Sequence, residues 1–202
     1  ILNHATFKAA LFMSAGIVDH ETHTRDIRRL GGLRRLMPVS GTLALIAAAS
    51  MAGLPLLNGF LSKEMMLEMA SQTPYAGNAW ILPALATLGA LLSVAYSARL
   101  AIGVWFGPVR NDYPHTPHEA PLGLWAPVAI LVVPVVVIGL APALVGGLVE
   151  RTGQAVVGAT PLPFYKFAIW HGFTPALVLS VIAVAGGALR LARGRQAEAV
   201  RG

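Results

Sequence analysis

Lys63 is the residue whose type and place most call for a chemical explanation. It stands in Gly53-Leu-Pro55-Leu-Leu-Asn-Gly59-Phe60-Leu-Ser-Lys63-Glu64, inside an apolar segment from Leu36 to about Thr73. A cation in hydrocarbon costs about 3 kcal/mol or more, so one that is kept there faces water or the bundle interior and serves a conduction path. Burial disfavours the charged form of a lysine, which makes it a usable proton carrier near neutral pH. The alternative is a side chain that snorkels to the interface beyond a span closing at Gly59. His4 and Lys8 are a second candidate pair. Their i, i+4 spacing puts both on one helical face, where a histidine and a desolvated lysine could hand a proton along. The competing expectation is a helix end near the interface. Glu64 and Glu68 share the same spacing and are candidate ion-pair partners for a cation on a neighbouring helix. Lys63 and Glu64, being adjacent, point to different faces.

The other titratable groups carry less. His115, His118 and Glu119 lie in a proline-rich loop, too few and too loosely held to make a metal site. His20, Glu21 and His23 are expected in a solvated loop after the first span, and His171 in an interfacial aromatic belt beside Trp170. With no cysteine, thiol catalysis, Cys-ligated zinc and disulfides are excluded. No phosphate loop, HExxH helix or Ser/His/Asp arrangement appears, so neither a cofactor, a metal nor a stand-alone enzyme is expected.

The elements that must position these residues are membrane helices. Of 202 residues, 55% are hydrophobic and only 12% charged, with a mean hydropathy of +0.65. Soluble domains carry roughly 25% charged residues, so a soluble enzyme, a disordered tail and a secreted disulfide module are all excluded. Stretches free of Asp, Glu, Lys and Arg predict an all-α bundle of about five crossings. These are Ala9 to Val18 (the second half of a helix), Leu36 to Ser62, Met69 to Ala98 (starting near Ala79 after a turn at Pro74 and Gly77), Ala120 to Val149, and Phe167 to Leu189. The second is expected to be discontinuous. Pro55 lacks a backbone donor, and Gly53 and Gly59 loosen the chain beside it. Freed backbone groups at such a break need water or polar partners, so breaks sit at cavities.

Charge patterning supplies the orientation. Arg25, Arg28, Arg29, Arg34 and Arg35 follow the first span, Arg99 and Arg110 come two crossings later, and Arg190, Arg193, Arg195 and Arg201 two crossings after that. The intervening loops are poor in cations, so the Arg-rich loops and the C-terminus are expected on the cytoplasmic side of the cell (inner) membrane. The net charge of +6 then reads as topology rather than as a nucleic-acid footprint.

Two motifs point to a family. His4-Ala-Thr-Phe-Lys8-Ala-Ala-Leu-Phe12 resembles the "HAxFKAxLF" helix of the antiporter-like membrane subunits shared by respiratory complex I, membrane-bound hydrogenases and Mrp-type cation/proton antiporters. The Gly53 to Glu64 stretch resembles that family's broken helix, "GxPxxxGFxSK" followed by Asp or Glu. The loop from Gly16 to Leu33 and Trp170-His171-Gly172-Phe173 are most similar to the large A-type polypeptide of Mrp antiporters, with His23 where glycine is expected.

The resemblance implies two inverted repeats of five helices, each with one lysine-bearing broken helix. Residues 1–106 would be the later part of the second repeat, and 107–202 the helices that follow with an Arg-rich tail. The chain would then be the rear part of a larger subunit. It also implies Lys63 as the broken-helix lysine, Lys8 with His4 as the neighbouring relay, and proton-coupled antiport of a monovalent cation such as Na+. The partners would be the lipid bilayer and other subunits of a multisubunit complex. A proton-pumping subunit of a redox-driven complex is the first alternative, and a purely structural membrane subunit the second.

Overall fold

The computed structural model describes residues 1–110, 113–161 and 172–201, with side chains of the last helix to Arg190. These residues form seven α-helices and one 3-10 turn: α1 (Leu2–Thr22), the turn (Leu33–Arg35), α2 (Pro38–Ala52), α3 (Asn58–Gln72), α4 (Ile81–Trp105), α5 (Leu122–Leu140), α6 (Ala143–Val157) and α7 (Pro175–Arg201). Among them the only β-type pairing is the isolated bridge of Tyr75 and Asn78, which closes the tight turn before α4. Positive φ at Ala76 and Gly77 makes that turn. By length and apolarity α4 and α5 each suffice to cross a membrane, and α2 is a shorter apolar helix. Large apolar side chains such as Leu85, Leu88, Ile130 and Val133 point outward, as a protein solvated by lipid requires.

Four boundaries differ from expectation. First, α1 runs from Leu2 to Thr22, well beyond Ala9 to Val18 in both directions. No breaker interrupts it until His23, which takes a left-handed conformation (φ 55°) and ends the helix. That is a glycine-favouring geometry, which accounts for the expectation of glycine there. Second, α4 continues past Ala98 to Trp105, so Arg99 lies within the helix. Third, the crossing from Ala120 ends at Leu140. A separate α6 follows the corner at Ala141 and Pro142, and Glu150 and Arg151 lie within it. Fourth, the last crossing continues past Leu189, α7 running from Pro175 to Arg201 through the expected tail. Lys166 and the opening of that expected span, with Trp170 and His171, lie outside the described residues, as do the side chains of Arg193, Arg195 and Arg201.

α1 packs against α2 and α5, α2 and α7 pack on α4, and α3 is enclosed by α4, α5 and α7. The core runs through Phe7, Leu11, Met37, Ala44, Ala47, Ala48, Trp105, Val128 and Val132. Small residues on α2 let backbones approach, the favoured way to join helices when lipid offers no hydrophobic contrast. A Cβ on Gly41 would already touch the Trp105 ring at 3.0 Å.

Candidate functional site

The site is the interruption between α2 and α3. α2 and α3 are each 15 residues, hence roughly 22 Å long. Neither alone reaches across a ~30 Å hydrocarbon layer, as expected of two halves of one interrupted crossing. Helix ends leave carbonyls and amides unpaired, and in lipid each must find a partner. Gly53, left-handed at φ 81°, closes α2. Its amide bonds the Ser50 carbonyl at 2.9 Å and that of Leu54 bonds Ala49 at 3.0 Å, the paired pattern of a Schellman ending. The Ser93 hydroxyl on α4 donates to the Met51 carbonyl at 3.2 Å. The Ala52 carbonyl receives the ammonium of Lys63 at 2.8 Å.

Lys63 thus reaches back from α3 onto the negative end of the α2 dipole, which favours a cation there. Gly53 also makes room for it, since a Cβ at that position would sit 2.6 Å from Lys63 Cδ. Pro55 lies in the exposed linker between the two helices.

The start of α3 is held by short polar side chains. Asn58 is fully buried; its carboxamide accepts the Ser50 hydroxyl at 2.8 Å and donates to Thr6 Oγ1 at 3.0 Å. The Gly59 amide donates to Ser50 Oγ at 3.0 Å. The Asn3 amide reaches the Asn58 carbonyl and the Ser62 hydroxyl from α1. Gly59 is required by proximity, because its Cβ would lie 1.9 Å from the Ser50 carbonyl oxygen. On the far side Gly139 of α5 presses on the linker, where a Cβ would meet the Leu56 carbonyl at 2.3 Å. That contact holds Leu56 at a strained φ of 71°.

His4 and Lys8 share a face of α1, but Lys8 is directed to α4. Its ammonium lies 5.2 Å from the centroid of the Tyr96 ring, a cation–π contact. His4 is exposed and packs edge-on against Phe7. The structure therefore does not bring the His4–Lys8 pair into direct contact with Lys63. Glu64 is buried at 3% exposure on α3, while Glu68, one turn on, is half-buried.

The histidines and acids expected in loops behave otherwise. Because α1 continues to Thr22, Glu21 is inside the helix and 1% exposed. His20 Nδ1 lies 3.1 Å from one of its carboxylate oxygens and His118 Nδ1 3.2 Å from the other. His115 donates to the Glu21 carbonyl at 3.0 Å and stacks on His23. The loop before α5 is thereby clasped to the end of α1. Glu119 is committed elsewhere. Its oxygens accept the amides of Val39 at 2.7 Å and Ser40 at 3.1 Å and the Ser40 hydroxyl at 2.6 Å, capping the start of α2. His115, His118 and Glu119 therefore do not converge, and among the described residues no group of three His, Cys, Asp or Glu could hold a metal ion.

Asn3, Thr6, Ser50, Asn58 and Ser93 were not singled out from sequence. The one available signal was Asn58 inside an otherwise apolar run, where an amide needs partners.

Residues 1–93 match the family model described as "NADH:quinone oxidoreductase/Mrp antiporter, TM". The chain is 47% identical over 188 residues to a probable K(+)/H(+) antiporter polypeptide of the A/B type from Rhizobium meliloti, covering 93% of this chain and 19% of that protein. It is 41% identical over 184 residues to the A1 polypeptide of an Na(+)/H(+) antiporter from Staphylococcus saprophyticus, covering 87% and 23%. Among solved structures, a chain of the Mrp complex from Dietzia sp. DQ12-45-1b superposes with a TM-score of 0.80 at 36% identity, over 94% of this chain and 20% of that one. The chain thus spans about a fifth of the length of the relatives it matches. The Lys63 break and the His4–Lys8 helix both lie inside residues 1–93, the part of the chain that matches the membrane-segment family of NADH:quinone oxidoreductase and Mrp antiporters.

Proposed function

We propose that this chain forms the proton-handling part of the large A-type polypeptide of an Mrp-type antiporter, a multi-pass protein of the cell membrane with its Arg-rich end cytoplasmic. Proton entry would drive a monovalent cation outward through a complex of several subunits. The observation that carries this reading is the ammonium of Lys63 on the Ala52 carbonyl, at a break whose other freed groups are partnered.

Protonated, Lys63 is held by the α2 dipole. Neutral, it loses most of that attraction and the side chain is released to another position. Such a group has two states that differ in both charge and place, as a carrier needs. Lys8 and His4 extend the path along α1, with Lys8 resting on the Tyr96 face between transfers. Residues 1–106 hold these groups, and 107–202 supply the packing behind them.

The test is transport by the full-length complex. Lys63→Ala is expected to abolish proton-coupled Na+ or K+ efflux while the complex still assembles; efflux near wild type overturns the proposal. Running both cations separates the two ions named for the relatives. Lys63→Met addresses the structural alternative, which expects transport and assembly both to survive. A redox-linked proton pump is the second reading, favoured by the quinone oxidoreductase in the family description. It expects quinone- or NADH-dependent activity in the purified complex.

A further inference from the structure

Four arginines border a single cavity at the Arg-rich end of the bundle. Arg28 from the segment after α1, Arg99 from α4, Arg110 beyond α4 and Arg190 from α7 line a space of about 970 Å³ along α4, closed on one side by the segment after α1 and bordered by α7 at Arg190. Their convergence places the three basic stretches of the sequence at the same end. Arg28 already has a carboxylate, Asp26, at 2.9 Å. Arg99, Arg110 and Arg190 have none within ion-pair distance among the described residues, and all three are exposed. Like charges gathered around one space repel unless an anion occupies it.

The cavity is graded in polarity along the helix axis. Arg99 lies roughly 9 Å from Trp105 at the end of α4, and Leu92 roughly 20 Å. In the outer part the guanidinium groups stand among Ile27, Leu30, Ile102 and Phe106, while the inner part beyond Arg99 is walled by Leu92, Ala95 and Tyr96 alone. A free anion would use only the rim and leave the apolar inner half without an occupant. A molecule with a phosphate head and a hydrocarbon tail fits both halves.

We propose that this cavity along α4 binds an anionic phospholipid. Its headgroup phosphate lies among Arg99, Arg110 and Arg190, and one acyl chain runs inward past Tyr96 to Leu92. Guanidinium groups suit the head because each offers paired donors to phosphate oxygens. Tyr96 also carries the Lys8 ammonium, so the lipid tail abuts the ring on which that lysine rests. The site stands independently of the transport reading.

The experiment uses the full-length protein purified with its accompanying subunits, and follows lipid rather than transport. Retained phosphatidylglycerol and cardiolipin are counted by mass spectrometry in wild type, in the triple variant Arg99→Gln/Arg110→Gln/Arg190→Gln and in the corresponding triple Lys variant. Each arginine is worth about fivefold in affinity for an anionic lipid, so the Gln variant is expected to bind on the order of 100-fold more weakly and to lose the lipid on washing. The Lys variant is expected to keep most of it. In parallel, the wild-type melting temperature is read in nanodiscs of phosphatidylcholine alone, with phosphatidylglycerol, or with inorganic phosphate added. Stabilisation by phosphatidylglycerol alone supports the proposal even if the Gln variant fails to fold. Equal stabilisation by inorganic phosphate, no stabilisation by either, or unchanged lipid retention in a folded Gln variant overturns it.

Discussion

Two apolar stretches of this chain are interrupted, one between α2 and α3 and the other between α5 and α6, and they are built on opposite terms. At the first, the last four carbonyls of α2 meet Leu54, Gly53, Ser93 and Lys63. The opening of α3 is closed by Ser50, Asn58 and residues of α1. At the second, α5 ends with the Ala141 amide on Val137, and the chain turns through Pro142 into α6, most of whose residues are exposed. An interruption inside the bundle draws its partners from side chains of other helices, whereas this corner is closed by its own backbone, with Leu144 bonded to Ala141 and Val145 to Pro142. The difference separates a break that holds a charge in place from one that merely redirects the chain.

A methyl group placed at each interruption tests this contrast most severely. Gly59→Ala drives a Cβ into the Ser50 carbonyl, backbone against backbone, and is expected to cost about 4 kcal/mol or more. Gly147→Ala in α6 meets nothing within 4 Å and is expected to gain up to about 1 kcal/mol from helix propensity. Thermal unfolding of the purified protein in detergent reads both; similar values would erase the distinction. Asn58→Leu removes the shared partner of Ser50 and Thr6 and is expected to lower stability by about 2 kcal/mol in the same assay.

Gly53→Ala acts on the lysine directly. Its Cβ meets the Lys63 stem and the backbone remains at positive φ, so about 1 kcal/mol of stability should go together with a larger loss of antiport. Antiport unchanged in vesicles would detach Lys63 from the break. The smallest effect is expected from Glu119→Gln, about 1 kcal/mol, because the one remaining oxygen still accepts from Ser40 while the bond to the Val39 amide and the charge at the exposed helix start are lost.

What could be read beforehand followed from residue type. Gly53, Pro55 and Gly59 in an apolar run announce an interruption, and a lysine beside them announces a reason for it. The corner at Ala141 and Pro142 carried no such mark, since α5 already accommodates Pro127 and Pro134 without ending. Proline alone does not distinguish a kink from a stop. The polar network around Asn58 was hidden because its members lie up to 59 residues apart and are individually ordinary. Glu21 was misplaced for a related reason. Its surroundings look solvated in one dimension, yet α1 continues through it and the loop bearing His115 and His118 folds over it.

The Glu119 cap gives α2 a property that neither end shows alone. A fixed anion grips its first amides and a titratable cation grips its last carbonyl, so the helix is a strut loaded electrically at both ends. Discharging Lys63 unloads one end only. Loss of the proton from Lys63, as proposed, would leave Glu119 as the one charged anchor of α2, on the loop that also clasps Glu21.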